Sequence, residues 1–272
     1  MNRLRTVLLH AALGVTTIFA VAPMLWMLSA SFMPTGSANT FPPPLIPRNP
    51  TLEHYRVLFG QLAVGRYLFN SALVAISATA LSLFVNSMAG YAIAKLRFRA
   101  RDRVFRTLSA ALLIPVQVTM LPLFLLLKQL GLVNSYWGAI IPAIATIFGI
   151  FLIRQYALGI PDDLLDAARV DGASEFRIYW SIVLPVIRPI LATLAIWTFL
   201  ASWNDFLWPL VILTDDQRYT LPVALASLSG EHVMDVELMM AGAVITVLPV
   251  IAVFLLLQRQ YVQGVMQGSV KG

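Results

Sequence analysis

Few residues in this chain have types and spacings that could do chemistry. None of the 272 residues is cysteine, which removes thiolate nucleophiles, disulfides and sulfur-ligated metals together. The three histidines, His10, His54 and His232, are too scattered to suggest a metal cluster. Gly172-Ala173-Ser174-Glu175 superficially invites an intramembrane serine protease, but no histidine lies in a later apolar stretch to act as base. Leu228-Ser229-Gly230-Glu231 is similar to an ATPase signature, yet no G-x4-G-K-[ST] phosphate loop occurs anywhere, so the chain is not expected to bind ATP. No catalytic residue and no metal site is expected. Two constellations remain, and both point to binding. In Trp203-Asn204-Asp205 with Trp208, the asparagine amide both donates and accepts, which suits sugar hydroxyls, and the indoles could stack on a sugar ring. Helix–helix hydrogen bonding for Asn204 and Asp205, and packing or a membrane-interface belt for the tryptophans, stay open beside that reading. The second constellation runs from Pro161 to Pro185.

The elements that must position these residues follow from composition. Hydrophobic residues make up 59% and charged residues 12%, against about 45–50% and about 25% in soluble proteins. A soluble core of this size could not hide that apolar surface, so the chain is expected to be an all-α integral membrane protein. Stretches of about 20 apolar residues are needed to span lipid, which offers the backbone no hydrogen-bond partners. Six occur, at about 7–32, 71–94, 108–130, 137–156, 190–213 and 238–257, within one domain covering 1–272. Pro23, Pro115, Pro122, Pro142, Pro209 and Pro249 lie in or near them and predict kinks packed against neighbouring helices. The first stretch is longer than a signal-peptide core and no small-x-small cleavage site follows, so it is read as a retained span.

Orientation follows from lysine and arginine. With the N-terminus in the cytoplasm, outer segments hold Arg48, Arg56, Arg66, Lys128 and Arg218, and the other 14 of the 19 basic residues fall inside. Both termini are then cytoplasmic. The run Lys95, Arg97, Arg99, Arg101, Arg103 is read as an anchor at an anionic lipid surface. The outer connection, about 33–70, carries Phe41-Pro42-Pro43-Pro44 and Pro47-Arg48-Asn49-Pro50, which fits an ordered external lip or a partner contact.

The inner connection 157–189 is the most informative segment. Pro161 suits the first turn of a helix, and Asp162 and Asp163 sit where the helix dipole favours negative charge. Leu164, Leu165 and Ala168 are expected on one face. Gly172 stops the helix or permits close backbone approach, and Ser174 can cap a second helix. A short helix–Gly–helix element of this kind can dock in a groove on a soluble partner.

The spacing Asp166-Ala167-Ala168-x3-Gly172-x9-Ile182-x-Leu184-Pro185 closely resembles the EAA loop of ABC importer permeases, with Asp for Glu at its first position. Asn49-Pro50-Thr51-Leu52-Glu53-His54-Tyr55, Phe69-Asn70-Ser71, Gly90-Tyr91-Ala92, Gly131-Leu132-Val133-Asn134, Trp203-Asn204-Asp205-Phe206 and Gly268-Ser269-Val270-Lys271-Gly272 extend the likeness over nearly the whole chain. It is similar to the smaller, maltose-system-like membrane subunit of carbohydrate importers. That resemblance implies the type I permease fold, with a cytoplasmic coupling helix between spans four and five, and a transport role without enzymatic activity. It implies a second permease, an ATPase dimer that carries ATP and Mg, and an external solute-binding protein. The chain itself would bind no cofactor and no nucleic acid. Asp166, Ala167, Ala168, Gly172, Ile182, Leu184 and Pro185 would dock the ATPase, and Val270, Lys271 and Gly272 would reach the ATPase dimer interface. Trp203, Asn204 and Asp205 are the candidates for the substrate pathway. A permease for another solute such as a polyol or glycerol phosphate, and more remotely a secondary transporter or channel subunit, are the alternatives.

Overall fold

A computed structural model describes residues 3–231 and 235–269. Among these residues the regular structure is helical: α1 (Arg3–Ala30), α2 (Glu53–Gly60), α3 (Val64–Lys95), α4 (Arg101–Ala111), α5 (Val116–Gln129), α6 (Tyr136–Ile144) and α7 (Ile147–Ala157) come first. They are followed by α8 (Asp162–Val170), α9 (Glu175–Val186), α10 (Arg188–Trp203), α11 (Leu207–Ile212), α12 (Leu221–Glu231) and α13 (Val236–Ser269). Four of the described helical segments are long and apolar enough to cross a membrane, and the number reaches six if each of two bent pairs is one span. The chain divides into two compact units, Met1–Arg66 with Ala224–Pro249 and Tyr67–Val223 with Val250–Gly272, where the sequence suggested one domain.

In the first unit, the apolar part of α1 buries nothing, and its exposed leucines, valines and phenylalanines are what a lipid-facing helix needs. The proline-rich segment folds back on the end of α1. Trp26 Nε1 donates to the Pro44 carbonyl at 3.1 Å and Ser29 Oγ to the Leu45 carbonyl at 2.6 Å. The buried His54 ring lies 2.8 Å from the Met33 carbonyl, Ser31 and Tyr55 share a hydroxyl–hydroxyl bond of 2.8 Å, and the fully buried Glu237 accepts from the Ala38 N–H at 2.6 Å. The lip is therefore ordered by bonds to its own unit.

The breaks within the expected spans lie in the second unit. The stretch 108–130 is two helices, α4 and α5, bent by 108°. Pro115 at the N-cap of α5 disfavours helical backbone at the residue before it and supplies no N–H. The stretch 137–156 is interrupted between α6 and α7. Buried Asn86 on α3 covers the break: its amide oxygen accepts the Thr146 N–H at 3.0 Å and its amide nitrogen donates to Thr146 Oγ1 at 3.2 Å and to Ser82 Oγ at 2.7 Å. Thr146 in turn accepts from the Gly149 N–H. Broken helices survive at membrane depth only where protein groups re-satisfy the backbone in this way. The stretch 190–213 also breaks, between Trp203 and Leu207. Segment 221–231, expected in a loop, is helix α12, so the ATPase-like tetrapeptide lies on helical backbone.

At the Asn70 end of α3, the Asn70 amide donates to the Gln217 and Tyr219 carbonyls and accepts from Tyr136 Oη, while Ser71 Oγ accepts the Leu221 N–H at 2.7 Å. Asn134 ties the same region to residues 212–215 through its backbone N–H and side-chain oxygen. About 37 Å further along α3, at 1.5 Å per residue, its Lys95 end meets α8 and α9. Gly90 makes that junction possible, because a Cβ there would stand 2.7 Å from Ile153 on α7.

Candidate functional site

The helix–Gly–helix element forms α8 and α9, and its turn is built by backbone hydrogen bonds. The Ala173 N–H donates to the Ala168 carbonyl and the Gly172 N–H to the Arg169 carbonyl, both at 3.0 Å, which is the Schellman pattern that closes a helix C-terminus. Gly172 sits at φ +80°, a conformation that costs other residues. Ser174 caps α9 by accepting the Arg177 N–H. α9 then contains a π-helical turn over Tyr179–Val183, and Tyr179 bonds Ser87 on α3 at 2.6 Å.

One face of the element is fixed to the body of the unit. Leu165, Ile178, Tyr179 and Val183 are buried with Tyr91, Ala94 and Ile153, and Ala168, Ala173, Ile182 and Leu184 pack against that cluster. The opposite face is uncovered: Leu164 and Phe176 are half exposed and Val170 is 88% exposed, interleaved with the exposed acids Asp163, Asp166 and Asp171. Leu164 therefore does not share the face of Leu165 and Ala168. Adjacent helical residues are about 100° apart, and burial chose the 165/168 pair. Of the seven EAA-like positions, Asp166, Ala167, Gly172 and Pro185 are exposed, whereas Ala168, Ile182 and Leu184 are partly buried. These last three hold the element in place from beneath.

An ionic strut braces the element, and the sequence reading missed it. Arg169 donates to Glu175 Oε1 at 2.7 Å and to Asp166 Oδ1 at 2.6 Å, and Tyr91 Oη donates to Glu175 Oε2 at 2.8 Å. Lys95 donates to Asp162 Oδ1 at 2.7 Å and to the Ile160 carbonyl at 2.6 Å. Bonding to Arg169 holds the Glu175 carboxyl below its ordinary range, and Lys95 does the same for Asp162. The Arg169 guanidinium, bonded to Glu175 and then Asp166, is shifted upward and stays charged. The pairing residues on α3 lie more than 60 positions away in sequence, and no local pattern announces them. Basic spacing alone suggested lipid for Lys95; its ammonium is instead turned onto α8.

The second constellation falls at the break between α10 and α11. The Asp205 carboxylate accepts the Trp208 N–H at 3.4 Å, so it caps α11 in place of lying along a continuous helix. Asn204 is exposed and donates back to the Leu200 carbonyl. Trp203 is 2% exposed and stacked on Phe199 at 5.6 Å, so its ring is unavailable to a sugar. Trp208 Nε1 donates to the Gly138 carbonyl. A cavity of about 380 Å³ opens here, lined by Asp205, Trp208, Gln117, Thr119, Thr198 and Trp197 among others. Trp197 is half exposed and lies against Phe148 at 5.4 Å. Of the three sequence candidates, Asp205 lines the cavity and Trp203 and Asn204 do not. Gln117 and Trp197 were missed, because nothing in their local spacing separates them from ordinary span residues. Val270, Lys271 and Gly272 lie outside the described residues.

Bent apolar spans, polar groups at helix breaks and a braced helix–Gly–helix projection are the features of a multi-pass membrane protein. The chain belongs to the family described as binding-protein-dependent transport system inner membrane component, whose model matches residues 86–267. It is 39% identical over 97% of its length, and 96% of the relative's, to the arabinooligosaccharides transport system permease protein of Halalkalibacterium halodurans. It is 33% identical over 99% of its length, and 98% of the relative's, to the lactose transport system permease protein of Rhizobium radiobacter. Its fold is similar to a chain of a bacterial ABC transporter involved in alginate import, with a TM-score of 0.83 at 24% identity over 95% of this chain and 97% of that one. The fold class is thus that of an ABC importer permease, a multi-pass membrane protein.

Proposed function

We propose that this chain is one permease of an ATP-driven importer for a neutral di- or oligosaccharide. It forms the pathway with a second permease and couples to an ATPase dimer that carries ATP and Mg. An external binding protein delivers the sugar, and both termini are cytoplasmic. The observation that carries this reading is the α8–α9 element, braced on one side and open on the other, where Leu164, Val170 and Phe176 stand exposed among acids. A groove on a soluble subunit would take Leu164, Val170 and Phe176, as grooves take one apolar helix face elsewhere.

The strut then carries the coupling. ATP-driven closure of the ATPase displaces α8 and α9, and the bonds to Tyr91, Lys95 and Ser87 pass that displacement to α3. Residues Val74 and Asn86 lie on the same helix; Val74 lines the cavity, and Asn86 holds the α6–α7 break. Each state of the permease must bind one state of the ATPase better than the other for hydrolysis to shift its population.

Neutral sugar fits the cavity better than a phosphorylated solute, which was the alternative. Its lining offers indoles, hydroxyls, an amide and the Asp205 carboxylate, and includes no lysine or arginine. A phosphate would meet a like charge and no cation. Proteoliposomes holding the full set of co-expressed subunits should take up labelled neutral oligosaccharide only when supplied with ATP. Trp197→Ala should raise the half-saturating sugar concentration about tenfold, one stacking contact being worth roughly 1–1.5 kcal/mol. Uptake of glycerol phosphate in preference to neutral sugars would contradict the substrate assignment.

A further inference from the structure

The basic segment after α3 is not absorbed by the coupling role, and its geometry has a consequence of its own. Arg97, Arg99, Arg101, Arg103 and Arg106 fall within ten positions, with Asp102 as the acid among them. Among the described residues, the segment's ion pair is Arg101 with Asp102 at 3.2 Å, and no carboxylate pairs with Arg97, Arg99 or Arg103. Arg97, Phe98, Arg99 and Arg101 line an open hollow of about 480 Å³ with Asp102.

Helix α4 places this charge. Phe105 stacks on Phe151 of α7 at 6.0 Å, with the Arg154 guanidinium 3.7 Å from the Phe105 ring centre. One apolar stripe therefore pins α4, and no α4 residue is buried. The 108° bend into α5 sets the two helices nearly perpendicular. With its arginines on an exposed surface and no buried residue, α4 has the character of an amphipathic interfacial helix. Exposed Leu113, Val116, Val118 and Leu121 continue directly from α4, so the charged surface borders apolar surface suited to acyl chains.

We infer that Arg97, Arg99, Arg101 and Arg103 with α4 form a docking surface for anionic phospholipid headgroups of the inner leaflet. The surface rests on the orientation adopted above, which puts residues 95–106 on the cytoplasmic side. Guanidinium pairs match phosphate oxygens, and the neighbouring apolar surface favours a lipid over a soluble acidic partner. The hollow begins two residues beyond Lys95, whose ammonium grips α8, so a lipid bound there borders the coupling element.

The full chain, co-expressed with its partners, would be extracted from membranes containing both phosphatidylglycerol and phosphatidylcholine, and retained lipid quantified by native mass spectrometry. Wild type should enrich phosphatidylglycerol several-fold. Arg97→Gln with Arg99→Gln and Arg103→Gln should bring that enrichment down to about one, since each basic residue near an anionic surface contributes roughly fivefold. The matching triple lysine variant should keep most of it. Undiminished enrichment in the glutamine variant would overturn the inference. So would loss of a co-purifying subunit from that variant in phosphatidylcholine alone, which would give the surface to a protein. Lipid retention is read without transport, so failure of the importer reading would leave this result standing on its own.

Discussion

Held by Arg169 and the Tyr91 hydroxyl, the Glu175 carboxylate ionises more readily than a free one, and Asp162 does so beside Lys95. A carboxylate whose pKa is depressed in the folded state contributes stability above its unfolded value of about 4, and loses it only as pH falls through the lower folded value. The brace is thus fully formed at neutral pH. Hydrogen exchange across residues 162–178, corrected for intrinsic rate, should be unchanged between about pH 8 and about pH 5 and should rise only below about pH 4. Loss of protection in the neutral range would assign the brace to other groups. Each pair reaches solvent, so each is worth well under the buried value. Their effect lies in aligning α8 and α9 with α3, a geometric role that small energies suffice to hold. Sequence patterns displayed Asp166, Gly172 and Ser174 because each acts locally, as pair, turn or cap. Tyr91 and Lys95 act on residues far along the chain and could not be read from spacing.

At the scale of elements, Gly172 decides whether α8 and α9 keep their angle. A Cβ there would meet open space, so sterics with neighbours are not the constraint; the positive φ is. Valine would pay about 1–2 kcal/mol to hold that backbone, and the turn should relax toward another conformation. Gly172→Val is expected to insert and assemble at near wild-type level, yet to lower ATP-driven uptake about tenfold, the factor that corresponds to roughly 1.4 kcal/mol. Gly172→Asn, which tolerates this region better, should fall between. Wild-type uptake by the valine variant would remove Gly172 from the coupling account. Prolines tell a similar story of local rules meeting tertiary context. Pro23, Pro122, Pro142 and Pro249 lie inside helices, as kinked spans were expected to allow. Pro115 instead ends one helix and starts another, and that sharp turn was invisible because its neighbours Ile114 and Val116 are as apolar as any span.

Over the whole molecule, composition alone was enough to require lipid, and the exposed apolar face of α1 is the structural counterpart of the 59% hydrophobic content. The division into two compact units had no signature in composition, since α3, α12 and α13 run through the boundaries without a linker. The cavity beside the α10–α11 break was legible only in part. Asp205 stood out as an acid in an apolar stretch, whereas Trp197 and Gln117 become notable only when a helix break opens beside them. The proposed docking role, by contrast, rests on one element whose Leu164, Val170 and Phe176 stand exposed. The most direct test is co-purification of the ATPase subunit with a tagged chain carrying Val170→Asp. Val170 is almost fully exposed, so the substitution should leave folding and insertion within about 0.5 kcal/mol of wild type. A charge placed in an apolar interface should reduce recovery of the ATPase about a hundredfold, the factor for roughly 2.7 kcal/mol. Full recovery of an active ATPase with that variant, at wild-type membrane levels, would contradict docking at α8–α9.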